Sequence, residues 1–219
     1  MESWSFEELR ELCREKGLSE EIISKFSKFA TSLDWRYARA KFHGEQADKI
    51  WKDLFAQSFT FGDEKYNVAE LSYEAYVEAC IQSLHSMGDI LGQIINIIIL
   101  EEHFSEDQVS LSKVTEFMIK NDIAPNIVDE INKLICSDEF CYVDAFCNTI
   151  KHRRIIKSQF NNEYKDKYYK LGLVFNEFHY RNRAYPETWG DDIIEKFRKH
   201  IISKVIGVGL KINNFVKEI

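Results

Sequence analysis

The segment LSYEAYVEACIQSLHSMGDILGQIINIIIL, Leu71–Leu100, contains no Lys or Arg. From Ile81 onward it is apolar around nearly the whole helical circumference, as expected of a helix at the centre of a bundle. It predicts a long helix over about 71–102. One polar line crosses it, formed by Glu78, His85, Asp89 and Asn96 with Gly92 among them. Asp89 stands one turn after His85 and can accept a hydrogen bond from its ring, which would fix the tautomer. Gly92 would admit a ligand or another backbone. The same line also fits the single wet face of a mostly buried helix.

The flanking sequence points to more helices. Two prolines and nine glycines in 219 residues are few for a sandwich of short strands and turns. A short helix over 4–16 is closed by Gly17. Ser19 can cap a second helix, with Glu20 and Glu21 near its positive end. Asp34 can cap a third that runs to about Ser58. FTFGDEKYN, Phe59–Asn67, reads as a turn. Short helices follow over about 110–121 and 125–135, and another covers about 138–158. Residues 161–187 are rich in aromatics and partly alternate. Leu171, Leu173 and Phe175 can share one strand face, so an extended arm or β-hairpin is expected. A last helix runs from about Asp191, capped by Thr188 or Asp191. The expectation is one all-α domain over 1–219. It comprises N-terminal helices (1–60), core helices (71–158), the arm (161–187) and a C-terminal helix (188–219).

Composition narrows the function. Hydrophobic residues make up 45% and aromatics 14%, enough for a substantial core. The formal charge of −7 disfavours coating of nucleic acid or of anionic membranes, so any such contact needs a local basic patch. Five cysteines without a CxxC pair read as reduced thiols of a cytoplasmic protein. The acidic, amphipathic start MESWSFEELRE is no signal peptide, and the greasiest run is too short to span a bilayer.

A second polar line lies in DAFCNTIKHRRII, Asp144–Ile156. On a helical wheel Phe140, Asp144, Asn148, Lys151 and Ile155 form a narrow stripe, with Cys141 and His152 beside it. Tyr142, Thr149, Arg153 and Lys157 occupy the opposite face, which reads as wet. Polar groups inside an apolar face must be paired or must line a cavity. Asn148 and His152 could form a satisfied core pair with Asp144. Two central helices each carrying a polar line also match a site built in a bundle core. His85, Asp89 and His152 could hold a divalent ion, but no HExxH and no zinc-type spacing accompanies them, and neither a metal nor a cofactor is expected. Cys147 with His152 could in principle act as a nucleophile pair; its apolar flanks favour inert packing.

CNTIKHR, Cys147–Arg153, on a late helix of an all-α bundle resembles the motif of the HEPN superfamily (higher eukaryotes and prokaryotes nucleotide-binding). Many HEPN domains carry R-N-x-x-x-H. Asn148 and His152 match its Asn and His, and Cys147 stands where the Arg would be. The segment HSMGD, His85–Asp89, resembles the earlier polar-bearing helix of a bacterial HEPN-like branch with an N-x-x-K-H-R sequence. The resemblance implies a HEPN-like bundle over about 71–158 and the last helix. It also implies a homodimer and metal-independent cleavage of RNA phosphodiesters, of the kind found in toxin-antitoxin or defence systems with a partner protein. In that scheme His152 is the acid/base, Asn148 positions the substrate, and His85 and Asp89 support them. Lys151 or Arg154 takes over the phosphate contact. The absent Arg implies the alternative of a non-catalytic nucleotide- or RNA-binding or dimeric assembly module.

The arm adds charge. FHYRNRAYP, Phe178–Pro186, holds His179, Arg181 and Arg183 at alternating positions, which one extended strand would project to one face. Tyr180 and Tyr185 offer rings for stacking bases. Arg153, Tyr180, Arg181 and Arg183 are therefore candidate substrate contacts.

Overall fold

The computed structural model describes residues 4–56, 60–165 and 168–218. The elements are α1 (Phe6–Glu15), α2 (Glu20–Phe55), α3 (Glu64–Ile98), α4 (Leu111–Lys120), α5 (Pro125–Ile135) and α6 (Asp138–His152). These are followed by β1 (Ser158–Lys165), β2 (Tyr168–Phe175), β3 (Phe178–Tyr180), β4 (Arg183–Tyr185) and β5 (Thr188–Trp189). A single turn α7 (Gly190–Asp192), a π-helical segment (Ile193–Phe197) and α8 (Arg198–Glu218) complete the chain. The fold is mostly helical with a small antiparallel sheet appendage.

Two compact units divide these residues. One takes in residues within 1–38, 84–140 and 200–219, and the other 39–83 and 141–199. In the first unit the indole of Trp4 is buried and its Nε1 donates to Asn213 Oδ1 at 3.0 Å. Gly209 makes room for that ring, since a Cβ there would lie 1.9 Å from Trp4. Gly92 has its predicted role here. A Cβ on it would stand 3.0 Å from the backbone nitrogen of Leu111, so it lets the start of α4 approach α3.

Several helix boundaries differ from expectation. Asp34 does not start a helix, because α2 runs through it. Phe26, Leu33, Ala40, Ala47 and Leu54 recur every seven residues and are all buried, so one apolar seam carries the helix across. α3 starts at Glu64 rather than near Leu71, because Asp63 caps it. Its Oδ1 accepts from the Tyr66 amide at 2.7 Å and its Oδ2 from the Thr60 amide at 2.9 Å. α6 stops at His152 rather than near 158. The amides of Arg153 and Arg154 both turn back to the Thr149 carbonyl, at 2.9 and 3.1 Å, and the chain leaves the helix. Neither Thr188 nor Asp191 caps the last helix. Trp189 precedes α7, and Thr188 Oγ1 donates to the Pro186 carbonyl at 3.0 Å.

The expected hairpin is present in the second unit. β1 and β2 pair antiparallel, Ser158 opposite Phe175, and β5 joins the other edge of β2 with Val174 opposite Trp189. Leu173 and Phe175 are buried, and so is Val174 between them, so β2 is covered on both sides rather than on one face. β3 and β4 form a separate small hairpin.

Candidate functional site

α6 turns its buried side the opposite way from the wheel reading. Tyr142 and Thr149, expected to be wet, are 3% and 1% exposed. For Tyr142 the reason is aromatic cover. The Tyr142 ring meets Phe178 at 5.3 Å, Tyr185 at 6.1 Å and Phe197 at 5.4 Å, and Phe146 meets Phe175 at 5.4 Å. Burial pushes the Tyr142 phenol up from its ordinary value. Because α6 ends at His152, Arg153 and Lys157 do not continue that face, and their polarity misdirects the wheel.

The polar stripe lies at the edge of this cover. Asp144 and Asn148 are half-buried, whereas Lys151 and His152 are exposed on the last turn. Asn148 Nδ2 donates to the Asp144 carbonyl at 2.9 Å and to Asp144 Oδ1 at 3.0 Å, so its amide is engaged one turn back on its own helix. Lys151 and His152 sit at the negative end of α6, where cations are favoured. Cys147 is fully buried, and burial pushes its thiol up to about 12, with the nearby Lys151 pulling the other way. A thiol held neutral at this depth is neither a nucleophile nor a substitute for the missing guanidinium.

The α3 line belongs mainly to the other unit. His85 is half-buried and Asp89 exposed. Asn96 is 2% exposed and clasps the following loop, its Nδ2 donating to the Phe104 carbonyl at 2.9 Å and its Oδ1 accepting from the Phe104 amide at 3.1 Å. That part of the line holds the fold together. His85 and Asp89 fall in the first unit, and Asn148, Lys151, His152 and Arg154 in the second. Among the described residues, no group of three or more His, Cys, Asp and Glu is placed to hold a metal ion.

The candidate substrate contacts do converge. β3 and β4 are joined by a two-residue turn at Arg181 and Asn182, and Arg181 has φ +53°. His179, Arg181 and Arg183 therefore do not share one strand face. His179 pairs with Ala184, and Tyr180 with Arg183. The turn instead brings Arg181 back over Tyr180, its guanidinium 5.1 Å from the ring centroid. Arg153, leaving α6, reaches the same ring at 4.9 Å. Both lie within cation–π range. Arg183 stands over Tyr185 at 5.2 Å. Tyr185 is buried rather than open for stacking. Its ring is stacked on Phe178 at 5.1 Å and 12°, and burial raises its phenol against the opposing pull of Arg183. The result is a chain of rings rising from the core, Tyr142 to Phe178 to Tyr185, that holds a surface patch of Arg153, Tyr180, Arg181 and Arg183.

This patch can present flat guanidinium groups to bases and phosphates. Exposed Lys151, His152 and Arg154 extend it along the chain. Sequence reading missed the Phe178–Tyr185 root. The signal was the pair of aromatics flanking a short basic turn in FHYRNRAY, which a hairpin places opposite each other.

No protein-family model matches the chain, and no curated protein or solved structure is similar to it. The site therefore rests on its own geometry.

Proposed function

We propose that the chain is a HEPN-like RNA-binding module whose contact surface is the end of α6 together with the β3–β4 turn. The observation that carries this reading is the placement of two guanidinium groups, Arg153 and Arg181, over the single ring of Tyr180. An acidic chain that concentrates cations around an aromatic at one place has the local patch that its net charge otherwise denies it. The resemblance of CNTIKHR to the HEPN motif supports the same assignment. Binding of a labelled single-stranded RNA, followed by anisotropy, tests it. Saturable binding that weakens at least tenfold in the Arg153→Ala/Arg181→Ala double variant is expected. Equal affinity of parent and double variant overturns it.

A second reading has one observation of its own, an exposed His152 between Lys151 and Arg153 at the edge of the patch. In that reading a cytoplasmic homodimer, of the kind found in toxin-antitoxin or defence systems with a partner protein, cleaves RNA without metal. His152 is the acid/base and Lys151 or Arg154 the phosphate contact. The engagement of Asn148 by Asp144 and the burial of Cys147 weigh toward binding alone. Cleavage of a labelled RNA pool in EDTA, lost in His152→Ala, would establish the enzyme; an inert parent protein would leave the binding module.

A further inference from the structure

A cavity of about 490 Å³ opens in the first unit between α2, the last turns of α3 and the segment that follows α3. The wall made by that segment is set before any ligand arrives. Asn96 holds Phe104 by both of its backbone groups, and Gln93 Nε2 donates to the Glu106 carbonyl at 2.7 Å. Lys25 ties Glu102 to α2, its Nζ standing 3.0 Å from both carboxylate oxygens. Glu101 and Glu102 take φ of +49° and +60°, a left-handed turn that non-glycine residues keep where such ties hold it.

We infer that this cavity binds a large apolar α-amino acid as its zwitterion. The charges carry the inference. Lys25 is neutralised by Glu21 and Glu102. One ammonium, Lys28, and one carboxylate, Glu106, then remain on the lining without an ion-pair partner among the described residues. They line one cavity from α2 and from the following segment, yet do not pair with each other. A simple anion would meet Glu106 and a simple cation Lys28; a ligand that carries both charges satisfies each. Gln93 Oε1 is a further acceptor for an ammonium N–H, since the hydrogen bond to Glu106 uses only Nε2 of that amide. Phe29, Ile97 and Phe104 supply apolar lining for the side chain, and the Phe104 ring is itself braced by Phe117 at 5.5 Å. The volume lies within the range of small-ligand sites. The inference stands apart from the RNA-binding reading, because the arginine patch belongs to the other unit.

The test uses the full chain, calorimetry and amide NMR shifts. The probes are L-phenylalanine and L-leucine, each beside its amine, which lacks the carboxylate, and its acid, which lacks the ammonium. The preferred amino acid should bind saturably below about 10 mM, and its amine and its acid should each bind at least tenfold more weakly. Its amide shifts should fall on residues 28–32, 93–97 and 102–106. Lys28→Gln should weaken the amino acid about tenfold and leave the amine unchanged. Glu106→Gln should weaken it by a similar factor and leave the acid unchanged. Both side chains are exposed, so neither substitution should move the melting temperature. The assignment is overturned if neither amino acid binds, if the amine or the acid binds as well as the amino acid, or if either variant binds it as the parent does.

Discussion

Asn96 in α3 and His152 in α6 both belong to polar lines on largely apolar helices, yet their situations are opposite. Asn96 is sealed in and clasps the backbone of Phe104 from both sides. His152 is exposed at a helix end, between Lys151 and Arg153. What a polar residue does in an apolar helix depends on its partners. Where its hydrogen-bonding capacity is used up by backbone, it organises a loop; where it stands open beside a rooted patch, it is available to a ligand.

Loss of the aromatic wall should cost the most. Phe146→Ala should destabilise the second unit by about 3–5 kcal/mol in denaturant unfolding, because it empties the aromatic wall under α6. A much smaller loss would mean that the patch is not rooted in the core. Alkaline pH should act next. Burial pushes both Cys80 and Cys147 up to about 12, above the ordinary value of 9.0. Below about pH 9 both states hold these protons. Above it the unfolded chain releases them while the folded chain keeps them, so stability falls as pH rises from 9 toward 12. Two such thiols give together about 2–3 kcal/mol per pH unit at most. Urea unfolding at pH 8, 9 and 10 checks the sign, and a stability that rises over that range contradicts it.

Asn96→Ala should cost about 2 kcal/mol, since it strands the Phe104 amide and carbonyl, and should leave RNA affinity unchanged. Tyr180→Ala should do the converse. It should weaken RNA about tenfold, close to 1.4 kcal/mol, because Arg153 and Arg181 lose the ring that holds them, with little change in melting temperature. Thermal scans and anisotropy on the same pair of variants would separate a clasp from a contact surface. The smallest effect is expected for His152→Ala, which should leave the melting temperature within about 2 °C because the ring is exposed. A large drop would place His152 with Asn96 and remove it from the surface.

The helical class, the hairpin arm and the two short helices α4 and α5 were legible because each rests on local signals: period, caps, turn residues. The burial of Tyr142 was not, since what covers it is Phe178, Tyr185 and Phe197, which lie far along the chain. Nothing in the residues around Tyr142 announces that cover. The end of α6 was misplaced for a related reason. Ile155 and Ile156 continue an apolar pattern, but Ile155 ends up at the surface. Arg153, Tyr180 and Arg181 were legible as residue types with a shared use; their convergence needed the tight turn that a single-strand reading straightens out.

Arg181 occupies the left-handed region at φ +53°, a conformation that glycine or asparagine adopts more readily. A library sorted only for heat resistance should therefore drift away from arginine at this position, and its winners should be sturdier proteins that grip RNA less well. The turn marks a place where selection for durability and selection for recognition would pull the same codon in different directions.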